Sequence, residues 1–140
     1  MGCGASCPVI DFPGTPINQA LGLELIRSAA DGTESAEVQI EDCSTLTQEG
    51  GVVHGGILTT VADTAAVYAI LPGIPAGKHM TSVEFKMNFF RPGRGDQGPI
   101  IARSKLVKRG RTINVAEADV FQGERHLAKG IFTYLVFDAP

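Results

Sequence analysis

The run Val53-His54-Gly55-Gly56-Ile57-Leu58-Thr59-Thr60-Val61-Ala62-Asp63 decides how this chain reads. It places two glycines at the start of an apolar helix and one carboxylate about two turns inside it. A helix start presents unpaired backbone N–H groups, and the partial positive charge there favours an anion. Asp63 is the only charged residue between His54 and Lys78. A carboxylate buried on a helix costs free energy unless it is paired or used. The two features together point to an oxyanion-binding helix start and an acid, base or nucleophile on the same helix.

The helix is expected over residues 55–71, because Pro72 and Pro75 stop it. Its apolar residues, among them Leu58, Val61, Ala62, Ala65, Ala66 and Ala69, cover most of its circumference. Such a helix is buried rather than laid on a surface. The small residues let a neighbouring backbone approach closely. With Asp63 and three threonines, this stretch is expected to be too short and too polar to span a bilayer.

On either side the pattern changes to strands. Residues 23–30 and 35–40 read as two strands around the turn Asp31-Gly32. A polar loop over residues 42–52 carries Gln48 and Gly50-Gly51. After the helix, Val83, Phe85, Met87 and Phe89 alternate with Glu84, Lys86 and Asn88, until Pro92-Gly93 breaks the strand. Residues 100–108, 112–121 and 126–137 read as three more strands, turning at Arg109-Gly110 and Gly123. Strands joined this closely pair antiparallel. The expected fold is α+β, one antiparallel sheet wrapped around one long central helix.

Residues 1–14, with three glycines and two prolines, read as a flexible arm, and residues 15–140 as a single domain. Thr15 is placed to cap a short helix that begins at Pro16 and ends at Gly22. The net charge of −3 gives no electrostatic case for a nucleic-acid partner. Cys3, Cys7 and Cys43 lack metal-ligand spacing, so free thiols in a reducing cytoplasm are expected, with no metal and no membrane. No secretory signal is visible. The opening Met1-Gly2-Cys3-Gly4-Ala5-Ser6 fits the N-myristoylation pattern, with Cys3 placed for a second acyl chain, although so short a pattern often matches by chance.

Four stretches resemble the hotdog-fold acyl-CoA thioesterases, in particular the phenylacetate-degradation (PaaI-like) branch. They are Val53-His54-Gly55-Gly56, Asp63-Thr64-Ala65-Ala66, residues 82–92 (SVEFKMNFFRP) and Lys108-Arg109-Gly110-Arg111-Thr112. The opening of the first helix, Pro16-Ile17-Asn18-Gln19-Ala20-Leu21-Gly22, is also similar, and the likeness covers about residues 16–137. It implies the hotdog fold and a homodimer, often paired into a dimer of dimers, with sites between subunits. It implies that the Gly55 N–H binds the thioester carbonyl and that Asp63 is nucleophile or general base. Gln48, six residues before the His, would hold the water or the acid, where the branch more often has Asn. Ser82, or its neighbour Thr81, would assist. Gly56 and Val83 would contact substrate. Asp63 would face Gly55 and Gln48 of the partner chain.

The chemistry is consistent with those residue types. A carbonyl oxygen that gains charge needs donors aimed at it, each worth ~3–4 kcal/mol. Gly55 has no Cβ to obstruct the approach. The carbonyl carbon needs a nucleophile, either Asp63 itself or a water it activates. A thiolate leaves without a strong acid, so no cofactor is required beyond the coenzyme A of the substrate. Blander readings stand beside these. Asp63 could be a structural carboxylate bonded to Thr59 or Thr60, and His54 could donate to a loop carbonyl and set the helix start rather than act as a base. Lys108, Arg109 and Arg111 form either a solvated hairpin tip or a clamp for the phosphates of coenzyme A. Arg91 and Arg94 are weaker candidates for that clamp, and His79 and His126 read as surface or strand-face residues. The expected activity is hydrolysis of an aryl- or medium-chain acyl-CoA. The rival activities are hydration or dehydration of an acyl thioester, and acyl-CoA binding without catalysis.

Overall fold

The computed structural model describes residues 11–29 and 32–140. The acylation-like start, Cys3, Cys7, Ala30 and Asp31 of the expected hairpin turn lie outside the described residues. A short helix α1 (Pro16–Leu21) leads into strands β1 (Leu23–Arg27) and β2 (Ser35–Ile40). The long helix α2 (Gly55–Ile70) follows, then β3 (Lys78–Phe89), β4 (Ile100–Arg109), β5 (Ile113–Gln122) and β6 (Arg125–Asp138). All six strands join one antiparallel sheet in the order β1-β2-β4-β5-β6-β3.

The alternation of side chains explains why the sheet wraps the helix. β2 and β5 bury every second residue. The inward rows are mostly small: Ala36, Ala102, Ala116 and Ala118 are fully buried, as are Ala62, Ala65, Ala66 and Ala69 of α2. Alanine against alanine brings helix and sheet close, and dispersion contacts at that spacing compensate for the small side chains. Ser104 Oγ donates to Ala65 O at 2.6 Å and stands 3.2 Å from Ala36 O, tying α2 to the sheet. Register breaks at Leu25/Arg27, Ser82/Glu84, Leu106/Lys108 and Val120/Phe121 let the sheet curl.

Several expectations change. β1 stops at Arg27 rather than running to residue 30, and β3 begins at Lys78, five residues before Val83. Val83 is the extra residue of a bulge, because Ser82 pairs with Tyr134 and Glu84 with Thr133. It therefore does not continue the row of Phe85, Met87 and Phe89. Residues 11–14 are no loose arm: Phe12 is 3% exposed and meets Tyr68 edge-on at 4.8 Å. Thr15 sits at the N-cap of α1, but its hydroxyl bonds Asp11 O instead of capping the helix. Gly22 closes α1 in the left-handed region, as expected (φ 65°). Contrary to the sequence reading, Gly55–Gly73 is long and apolar enough, by length and composition, to cross a membrane. Here that apolar surface is spent on the sheet that encloses it.

The seam between α2 and the sheet has no space for a larger side chain. Ala65→Leu is expected to lower stability by about 1–3 kcal/mol through overpacking, read from urea unfolding.

Candidate active site

The loop before α2 is folded by its own backbone. His54 N–H bonds Leu46 O at 3.0 Å, and Val53 N–H bonds Gly93 O at 2.8 Å. Gln122, 3% exposed, holds the neighbouring loop by accepting from Arg94 N–H at 2.9 Å and donating to Arg94 O at 2.7 Å. Arg94 Nη1 reaches Gly50 O at 3.0 Å, and Arg91 Nη1 reaches His126 O at 3.0 Å. Both arginines, weak candidates for phosphate contact, bond backbone carbonyls.

His54 is the N-cap of α2, and its Nδ1 accepts from Gly56 N–H at 2.9 Å. The ring sets the helix start as expected, but by accepting rather than donating. An accepting Nδ1 puts the proton of the neutral ring on Nε2, which leaves neither nitrogen free to act as a base. The Gly56 N–H is consumed by this cap, so it is not free to bind substrate. The ring also explains the second glycine: a Cβ there would lie 2.9 Å from Nδ1. The Gly55 N–H has no partner among the described residues, and an added Cβ would meet only the Phe89 ring, at 3.5 Å. Gly55 lines a cavity of about 420 Å³ with Gln48, Val53, Leu58, Phe89 and Phe90. Gln48 is exposed at its mouth.

Asp63 lies eight residues further on, about 12 Å along the axis. It does not bond Thr59 or Thr60, whose hydroxyls return to Gly55 O and Gly56 O. Its partner is Tyr134 of β6, whose hydroxyl donates to Asp63 Oδ1 at 2.5 Å. Burial raises the Asp63 carboxyl above its ordinary range, and the Tyr134 hydrogen bond pulls it partly back. The Tyr134 phenol is pushed far up by burial and by the neighbouring carboxylate. Sequence reasoning missed Tyr134 because it sits in an alternating strand where an aromatic ring reads as core.

Ser82 pairs with Tyr134 in register and lines a second cavity, of about 560 Å³, with Tyr134, Val67, Leu71 and Met80. Thr81 also lines this cavity, although it pairs with Leu135 and strand alternation points its side chain away from Tyr134. The structure thus gathers Asp63, Tyr134 and Ser82 in one place and Gln48 and Gly55 in another.

The basic cluster divides. Arg109 stands over the C-terminal end of α2, with Nη1 and Nη2 3.4 and 3.3 Å from Ile70 O and Nε 3.4 Å from Glu34 Oε1. A cation there complements the helix dipole, so the central arginine of the expected clamp already has a structural role. Lys108 and Arg111 are exposed. His126 is a strand-face residue of β6, one of the two expected alternatives: it stacks on Phe121 at 4.7 Å and meets Phe90 edge-on at 5.1 Å. Its Nε2 is 2.9 Å from Asp119 Oδ1, off the line of a straight hydrogen bond. Cys43 is a buried free thiol. Among the described residues, no group of three or more His, Cys, Asp or Glu side chains is placed to hold a metal ion.

A carboxyl raised by folding destabilises the folded state while it is ionised, and this penalty fades as pH falls through its folded value towards the unfolded one. Asp63→Asn keeps an acceptor for Tyr134 and removes the charge. It is expected to melt above the wild type at pH 7, with the gap closing towards pH ~4, measured by thermal unfolding across pH. Gly56→Ala displaces the His54 ring and is expected to cost about 1 kcal/mol through the lost cap.

Residues 50–129 match the family described as Thioesterase superfamily. A candidate esterase of Halobacterium salinarum is 32% identical over 100 residues, 68% of this chain and 63% of that protein. A candidate esterase of Saccharolobus solfataricus is 29% identical over 93 residues, 66% of this chain and 60% of that protein. The matches thus span about three fifths of the length of these two relatives. Among solved structures, a thioesterase family protein from Silicibacter pomeroyi superposes with a TM-score of 0.81 at 29% identity, covering 91% of this chain and 93% of the other. A variant of the phenylacetic acid degradation protein PaaI from Thermus thermophilus superposes with a TM-score of 0.75 at 26% identity, covering 86% and 98%. The family match takes in α2, its cap and strands β3 to β5, and on it the chain belongs to the thioesterase superfamily, as a PaaI-like protein of hotdog fold.

Proposed function

We propose that this protein is a homodimeric acyl-CoA thioesterase in which each site is built from two chains. The observation that carries this reading is the separation of the two chemical groups on α2. Gly55, with its free N–H, and Asp63 are separated by about 12 Å along the axis of one rigid helix; Gly55 lines one cavity, and Tyr134, the partner of Asp63, lines another. One reacting carbonyl cannot touch both groups of the same chain. The edge strand β3 lies beside both cavities and leaves Phe85 and Phe89 each 52% exposed. A long apolar edge of this kind calls for a partner strand. A second copy paired there in two-fold symmetry would bring the Asp63 of one chain towards the Gly55 and Gln48 of the other.

In that arrangement the thioester oxygen accepts from Gly55 N–H at the positive helix end. Asp63 of the partner either attacks the carbonyl carbon or takes a proton from the water that does, and the coenzyme A thiolate leaves. Gln48 orients the water, and Ser82 lines the cavity beside Tyr134, the partner of the acid. Lys108 and Arg111 remain available for coenzyme A phosphates. The solved relative named for phenylacetic acid degradation favours an aryl acyl group. A histidine-based hydratase reaction is disfavoured by the engaged Nδ1 of His54.

Proline at position 55 removes the N–H yet suits the first residue of a helix, and His54 already has the extended backbone that precedes a proline (ψ 133°). Gly55→Pro is expected to lower kcat about 10²–10³-fold, and Asp63→Asn at least about 10²-fold, in assays over phenylacetyl-, hydroxybenzoyl- and straight-chain CoAs. When the two inactive variants are mixed and allowed to exchange subunits, statistical pairing in two-fold dimers should restore about a quarter of the wild-type sites. No recovery in folded, exchanging mixtures would rule out the shared site.

A further inference from the structure

We infer that Tyr134 is the positioning residue of the acid: its hydroxyl pins Asp63 Oδ1 and leaves Oδ2 as the oxygen that acts. The inference rests on the reading of Asp63 as the reacting carboxylate and adds a residue and an orientation to it.

Phe132, Tyr134 and Val136 form the inward row of β6 and are 1%, 1% and 4% exposed. At such a position phenylalanine packs as well as tyrosine, and a buried phenol costs free energy unless its hydroxyl is bonded. The Tyr134 hydroxyl has one side-chain partner, Asp63 Oδ1 at 2.5 Å, and stands 3.3 Å from Asp63 O. The short distance is that of a donor on a charged acceptor. A carboxylate turns freely about its last torsion unless one oxygen is held. With Oδ1 held, Oδ2 has no partner among the described residues and is the oxygen left for water or the carbonyl carbon.

The same bond governs the charge of the acid. No other titratable group among the described residues acts on Asp63. From β6 it meets Tyr134, and β3 places Ser82 in register with Tyr134. β2, β4 and β5 face the helix with alanines, valines, isoleucines, the Ser104 hydroxyl, itself bonded to Ala65 O, and two neutral amides of β5: Gln122, and Asn114, which is in register with Tyr134 and whose Oδ1 accepts from Gly110 N–H. Burial alone drives the acid towards its neutral form, and Tyr134 is the one group that opposes it. A general base or nucleophile must be ionised, so the phenol keeps the acid active at a pH where burial would silence it.

The test is the pH profile of kcat/KM. Tyr134→Phe keeps the ring and removes the donor. It is expected to move the acidic limb upward by about one pH unit, the size of a hydrogen bond to a charged acceptor. It should lower kcat by up to about a hundredfold, with KM unchanged. The chain has two tyrosines, so in a Tyr68→Phe background 3-fluorotyrosine alters Tyr134 alone. That more acidic phenol donates more strongly and should move the limb downward. Opposite shifts establish the role, and the fluorinated protein decides it if Tyr134→Phe fails to fold. A limb that stays at its wild-type position, with Asp63→Asn inactive, shows Tyr134 to be a core ring and overturns the inference alone. Turnover retained by Asp63→Asn overturns the reading of Asp63 as well, and so is told apart.

Discussion

The close approach of α2 to the sheet is the constraint on which the rest depends. Buried alanines on the helix meet buried alanines on β2, β4 and β5, and at that distance the helix cannot roll or slide without collision. The helix is therefore a ruler. Its start is fixed by the His54 cap and its end by Arg109 over Ile70 O. Along it, Gly55 and Asp63 are held at a separation set by the α-helical rise. A loose helix would let one chain try to bring both groups to one carbonyl. A fixed one underlies the proposal of a site shared with a second chain, for which the exposed phenylalanines of β3 would supply a surface.

What could be read from the sequence were features whose cause is local. His54, Gly55 and Gly56 announce a helix start because capping chemistry acts within three residues. Asp63 stands out because one charge in an apolar helix needs no partner to be noticed. The end of α2 follows from Pro72, and β2 and β5 from strict alternation. What stayed hidden was contact between distant residues. Tyr134 lies 71 residues from Asp63, and nothing in its strand distinguishes a bonded phenol from a packed ring. Arg109 sits in a basic hairpin that suggests phosphate, yet its guanidinium reaches a helix end 39 residues earlier. Phe12 belongs by composition to an arm and by packing to the core, because Tyr68 offers it a ring. The bulge at Val83 decides which face Ser82 shares, and a bulge is set by the pairing of two strands rather than by either one.

The chemistry of Asp63 follows from two opposing demands. A base strong enough to activate water benefits from a raised pKa, which burial supplies. Burial carried further would leave the acid protonated and idle. A charged partner such as Arg or Lys would correct this, but a full salt bridge would hold the carboxylate too firmly ionised and blunt its basicity. A neutral phenol is intermediate: it stabilises the anion through one hydrogen bond and adds no charge. It also restricts the carboxylate to one orientation, which a diffuse electrostatic field cannot do. Tyr134 sits on β6, next to edge strand β3 and across from Ser82, so the proposed pairing of two chains along β3 would lay the new interface one strand away from the acid. Dimer formation would exclude water from the cavity shared by Ser82 and Tyr134 and strengthen the hydrogen bond between Tyr134 and Asp63. Assembly and the ionisation of the acid would then be linked through a single strand.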